Sequence, residues 1–163
     1  MSFAQGIFLK FTNITCESKD INTSSVEYCY IRQMDHQKNY FSLRYNLLKP
    51  ITNNVSFHFQ LMIRSNGWKP FMYGIDLEMC RFWKSRYNAF GKLLFTLVDG
   101  HTNLNHTCPY MNEKYLAIDK ILNTDISKKL PTMPIGKGHY AVYSSWSWNN
   151  MSHVETKIYL ELS

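Results

Sequence analysis

The chain is 163 residues long, with 45% hydrophobic and 15% aromatic side chains, 18 basic residues against 12 acidic ones and a formal charge of +6. That is enough chain for one domain, taken as 1–163, burying roughly two-thirds of its unfolded surface, and it excludes a disordered or low-complexity polymer. The charge falls short of the clustered basic stripe of a nucleic-acid binder, so no nucleic-acid partner is expected. No stretch approaches the ~20 apolar residues of a membrane span, which points to a soluble chain.

From Met1 to Lys10 there is no apolar run behind a basic start, so no secretory leader is visible there. A first strand is expected near 7–16 and a second near 25–34, separated by the turn-rich stretch Lys19 to Ser25. Asp35-His36 marks the next turn. Phe41, Leu43, Tyr45 and Leu47 then alternate with Ser42, Arg44 and Asn46, a half-buried strand. After Lys49 to Asn54 the same alternation returns in Val55, Phe57, Phe59, Leu61 and Ile63. Past Ser65 to Trp68 it recurs in Phe71, Tyr73, Ile75, Leu77 and Met79.

From Arg81 to Val98 the period changes. Trp83, Tyr87, Phe90, Leu94 and Leu97 recur every three or four residues, opposite Arg81, Lys84, Asn88 and Lys92. This predicts one amphipathic helix of about five turns, weakened by Gly91 and ended by Asp99-Gly100. Its aromatics either face the core or lie in a membrane interface, with Trp83 and Phe90 inserted among lipids. Strands near 114–121 and 139–148 follow, and Val154, Thr156, Ile158, Leu160 and Leu162 define a last one. Many one-sided strands on short turns predict a mainly β fold, an antiparallel β-sandwich carrying one inserted amphipathic helix at about 81–98.

Cys16, Cys29, Cys80 and Cys108 sit among five glycosylation sequons, at Asn13, Asn22, Asn54, Asn105 and Asn150. Together they predict an oxidising, glycosylating compartment and a secreted protein; a leader removed, or missed at the start of the gene, keeps that reading. If Lys19 to Ser25 is the turn of a hairpin, Cys16 and Cys29 are equidistant from its centre and face each other across paired strands. Cys80 then pairs with Cys108, clamping both ends of the helical insertion. There is no Cys-x2-Cys and no supporting His pair, so no metal site is expected.

Catalytic motifs are missing as well: no Gly-rich phosphate loop, no Gly-x-Ser-x-Gly elbow, no His-Glu-x-x-His. Asp76 and Glu78 project from one strand face at a separation compatible with glycosidase carboxylates, and they are the only candidates for a hydrolase. The expectation is a chain that is not an enzyme, with no catalytic residues and no cofactor.

Several short stretches resemble a large insect family of uncharacterised secreted proteins. These are Phe11-Thr-Asn-Ile-Thr-Cys16-Glu-Ser, Gly67-Trp-Lys-Pro-Phe71 leading to Cys80-Arg-Phe, and Asn103-Leu-Asn-His-Thr-Cys-Pro-Tyr110. Leu130-Pro-Thr-Met-Pro134 and Gly138-His-Tyr140 complete the set. That family is similar to the chemosensory-bristle (CheB-type) proteins of pheromone gustation, and more distantly resembles the ML lipid-recognition superfamily and the ganglioside-activator protein. The resemblance implies an immunoglobulin-like β-sandwich whose two sheets splay apart to hold a lipid between them. The first-to-last-strand disulfide frequent in ML proteins is absent here, because no cysteine follows Cys108.

The leading expectation is a carrier of an apolar ligand, lipid or pheromone, acting beside a membrane receptor or a membrane surface. Its wall residues would be Phe57, Phe59, Leu61, Phe71, Tyr73, Ile75, Phe90 and Leu94. The alternative is an extracellular protein-interaction module with a filled core. A pocket near ~300 Å³ separates the two.

Overall fold

A computed structural model describes residues 8–51, 55–85, 88–104, 113–129, 135–149 and 151–163. Among the described residues eight strands and three helices follow one another. They are β1 (Leu9–Ser18), β2 (Ser24–Gln33), β3 (Asn39–Leu47), β4 (Val55–Arg64), β5 (Trp68–Glu78), α1 (Met79–Ser85) and α2 (Ala89–Val98). After these come β6 (Tyr115–Leu122), α3 (Asn123–Lys129), β7 (Gly138–Trp148) and β8 (Met151–Leu162). The alternating segments all become strands, because each has one apolar face that only another sheet can cover. Two antiparallel sheets result, ordered β1-β8-β7-β4-β5 and β2-β3-β6.

Local chemistry sets the turns. The Asp35 carboxylate accepts hydrogen bonds from the backbone N–H groups of Gln37 and Lys38, at 2.8 and 2.9 Å, which closes the β2–β3 connection. Between β4 and β5, Asn66 and Gly67 both take positive φ, the conformation an Asn-Gly pair supplies in a hairpin.

The expected β1–β2 hairpin does not form. β1 pairs with β8, from Leu9 opposite Leu162 to Ser18 opposite Val154. β2 pairs with β3 in the other sheet. The backbone carbonyl of Asp20 accepts from Thr23 and Ser24, so 19–23 is a corner carrying the chain from one sheet to the next. The Cys16–Cys29 disulfide is nevertheless present, with Cα atoms 6.2 Å apart. Equal spacing about a turn is common to a hairpin and a sheet-to-sheet corner, so the spacing identified the partners without identifying the geometry. The bridge staples the edge strands of the two sheets. Closing so short a loop stabilises the fold by about 3 kcal/mol. Cys80 is also disulfide-bonded; Cys108, its expected partner, lies outside the described residues.

The helical insertion is two helices rather than one. Asn88 has extended backbone angles, and its Oδ1 accepts from the Gly91 N–H at 2.9 Å, an N-cap that starts α2 afresh. Asp99 ends α2 and Gly100 follows with positive φ, as expected. Gly91 has a further role: a Cβ there would sit 2.9 Å from Leu77 Cδ1 and 3.0 Å from Phe82 Cε1. Its bare backbone is what lets α2 lie close to β5 and α1.

Trp83 is buried against Phe82 and Phe95, at ring distances of 5.4 and 5.2 Å. It is core, not a membrane wedge. The helix α3 has no counterpart in the expected elements. Its first residue explains it. Asn123 is fully buried; its Nδ2 donates to the carbonyls of Leu9 and Gln37, at 2.8 and 2.9 Å, and its Oδ1 accepts from the Asn39 N–H at 3.0 Å. Asn39 in turn donates to the Phe11 carbonyl at 2.7 Å. These two amides fasten α3 to both sheets at once.

Candidate ligand-binding cavity

The inward faces of the two sheets do not meet along their whole length. Between them lies a cavity of about 530 Å³. Its floor and walls come from Leu9 and Phe11 of β1, Phe41 and Leu43 of β3, Phe57, Phe59 and Leu61 of β4 and Tyr73 of β5. The remaining strands add Ile118 and Ile121 from β6, Tyr140, Val142, Ser144 and Trp146 from β7, and alternate residues of β8 from Thr156 to Leu162. Helix α2 covers it with residues from Phe90 to Val98, and α3 borders it with Ile126, Ser127 and Lys128. The alternation of period two makes this possible, since every second residue of each strand faces the same interior.

Six of the eight residues expected as wall border the cavity: Phe57, Phe59, Leu61, Tyr73, Phe90 and Leu94. Phe71 and Ile75 do not. Both pack on the hydrophobic core from β5, with Phe71 5.9 Å from the Tyr140 ring. β5 is an edge strand, and these two side chains pack at the margin of the core, outside the cavity lining. Phe90 seals the α2 side by stacking on Tyr73 at 5.1 Å and meeting Phe59 edge-on at 5.3 Å.

The residues missed were those of β1, β3, β6, β7, β8 and α3, the α2 residues Leu93, Phe95, Leu97 and Val98, and Ile135. The β8 set was legible, because Thr156, Ile158, Leu160 and Leu162 share one face of a clearly alternating strand. Nothing local marks the α3 set.

The hydroxyls of Thr156, Ser144 and Tyr140 on the cavity wall are occupied. Tyr45 Oη donates to the Glu155 carbonyl at 2.7 Å and lies 2.7 Å from Thr156 Oγ1, so the threonine hydroxyl spends its hydrogen on the tyrosine. Ser144 Oγ donates to the Thr156 carbonyl at 3.3 Å, and Tyr140 Oη to the Gly136 carbonyl at 2.9 Å. Burial raises the Tyr45 hydroxyl to about 12 and raises Tyr140 as well. Both are held in the neutral form, and apart from Lys128 the described lining is hydrocarbon with a few hydroxyls.

Asp76 and Glu78 do not form a catalytic pair. The Glu78 carboxylate accepts from the N–H groups of Cys80 and Arg81, at 3.1 and 2.8 Å, capping α1. Asp76 is largely exposed and lies 2.5 Å from His58 Nδ1 on the outer face. Among the described residues no cluster of His, Cys, Asp or Glu could hold a metal ion. No helix is long and apolar enough to cross a membrane among them. Of the five sequons, Asn13 on β1 and Asn22 in the corner are exposed; Asn54, Asn105 and Asn150 lie outside the described residues.

The fold and the cavity define a class: a two-sheet antiparallel sandwich, hollow between its sheets, with helices along the opening. The chain belongs to the family described as protein of unknown function (DUF1091), whose model matches residues 57–147. That match runs from β4 through β7. No curated protein matches it in sequence. Among solved structures it is similar to a Niemann-Pick type C2 protein from Japanese carpenter ant, at 9% identity and a TM-score of 0.44. That alignment covers 90% of this chain and 96% of that one.

Proposed function

We propose that this protein is a non-enzymatic carrier of an apolar ligand, a lipid or a pheromone, working outside the cell in chemosensation beside a membrane receptor or a membrane surface. The single observation that carries the reading is the apolar cavity of about 530 Å³ between the sheets, within the ~300–1,000 Å³ range of small-molecule sites. A filled-core interaction module would have no such space. Binding draws on the hydrophobic effect, about 0.8 kcal/mol for each methylene moved from water into the cavity.

The buried hydroxyls support the same reading. Their hydrogens are committed to protein acceptors, so an apolar guest leaves none of them unpaired. The disulfides and sequons support the extracellular setting, and the residue motifs shared with CheB-type proteins support chemosensation. The test is native mass spectrometry of the delipidated, folded protein after exposure to an insect lipid extract. A carrier retains a discrete mass and melts at higher temperature when loaded. A protein that retains nothing, and whose melting temperature the extract leaves unchanged, is not a carrier.

A further inference from the structure

The cavity has one charged residue among its described lining, and it stands at the rim. Lys128 lies on α3 beside Ser127, and both are exposed while they border the apolar interior. Among the described residues Lys128 has no ion-pair partner; Asp125, on the same helix, does not line the cavity. The helix carrying it is held still, because Asn123 is bonded to the backbone of Leu9, Gln37 and Asn39. The position of the lysine is therefore set by the sandwich rather than by a loop.

Resting on the carrier reading above, we propose that the ligand is a single-chain lipid with an anionic carboxylate head, its chain in the cavity and its head at Lys128. Two physical arguments converge. A carboxylate cannot follow its chain inward, because an unpaired charge in an apolar interior is very costly. The deep hydroxyls of Ser144, Thr156 and Tyr140 offer it no hydrogen, since each already donates to a protein acceptor. At the rim the ammonium of Lys128 supplies both charge and three donors, while its aliphatic stem continues the apolar wall. A few placed polar groups at the mouth of an apolar site are what fix a ligand's direction.

The experiment compares palmitate with cetyl alcohol, two ligands of equal chain length, on the delipidated full chain and on the exposed-site variant K128Q, by competition against a fluorescent fatty-acid probe. Wild type is expected to bind palmitate roughly 5-fold or more tightly than the alcohol, with the preference shrinking as salt is raised. K128Q is expected to abolish the preference, lowering the affinity for palmitate several-fold more than that for the alcohol. Equal affinity for both ligands overturns the inference and leaves the carrier reading standing. A palmitate preference that survives in K128Q overturns it too, because the head is then held elsewhere. If wild type binds neither ligand nor the probe, the carrier reading itself falls. Unchanged melting of K128Q separates a lost contact from a lost fold.

Discussion

The two ends of the sandwich are built differently. At one end, where β8 begins, Tyr45, Leu77, Phe82, Trp148 and Val154 are all buried to 2% exposure or less, and the Trp148 ring stacks on His153 at 4.2 Å. None of these residues borders the cavity. At the other end, where β8 finishes, Leu9, Phe11, Phe41, Tyr140 and Leu162 are buried too, yet they face open volume. The strands are the same ones, running continuously from solid core to hollow. The difference lies in what fills the space between sheets: at the first end large rings, with Gly91 and Phe95 of α2 packed on Leu77 and Phe82, and at the second α3 and the cavity-facing side of α2, which border open volume. One end holds the sheets together, and the other is left free for a guest.

Leucine truncation gives the largest expected contrast. Leu77→Ala, at the solid end, should cost about 4 kcal/mol, since the surroundings are pinned by Gly91 and Phe82 and cannot collapse into the gap. Leu160→Ala, on the cavity wall, should cost about 2 kcal/mol, because that side chain has neighbours on one side only. Urea unfolding measures both. Equal costs would mean that the two ends are packed alike.

Enlargement should act in the opposite sense. Val154→Trp at the solid end is expected to destabilise by about 3 kcal/mol through overpacking. Val142→Trp points into the cavity; it should change stability by less than about 1 kcal/mol while lowering probe affinity at least tenfold. Calorimetry and probe titration together would show whether the space is usable.

The link between α3 and the sheets comes next. Asn123→Ala leaves the carbonyls of Leu9 and Gln37 and the N–H of Asn39 unpaired, for about 2 kcal/mol. Hydrogen exchange should show the loss concentrated at the hollow end.

The smallest effect is in pH. Burial raises the Tyr45 hydroxyl from its ordinary 10.0 to about 12, so the folded state favours the neutral form. That contribution is complete below pH 10 and is lost as pH rises toward 12. Tyr45→Phe should flatten the alkaline decline of the urea midpoint only in part, because burial and a hydrogen bond to Asp119 also raise Tyr28 to about 12.

Much of this architecture was readable residue by residue. All eight strands were marked by alternation or by β-rich runs between turns, and the helix ending at Asp99-Gly100 was marked by its change of period. The break at Asn88 was harder to see, because an asparagine on the polar face of a helical pattern serves equally as a solvated residue or as a cap. Which of the two applies depends on whether its side chain finds the Gly91 N–H.

The sequence by itself determined which residues could face inward, since alternation is a property of the extended chain, and it determined that Cys16 and Cys29 lie within reach of each other. Only the tertiary structure decided that this disulfide joins two sheets rather than two paired strands. It alone decided that Phe71 and Ile75 pack on the core outside the cavity lining while Leu160 and Lys128 border it, and that Asn123 anchors a helix. The physical reason is common to all of these. The pairing of β1 with β8 and the buried bonds of Asn39 and Asn123, which join residues 28 to 114 positions apart, link distant parts of the chain, and no local pattern carries information over such distances.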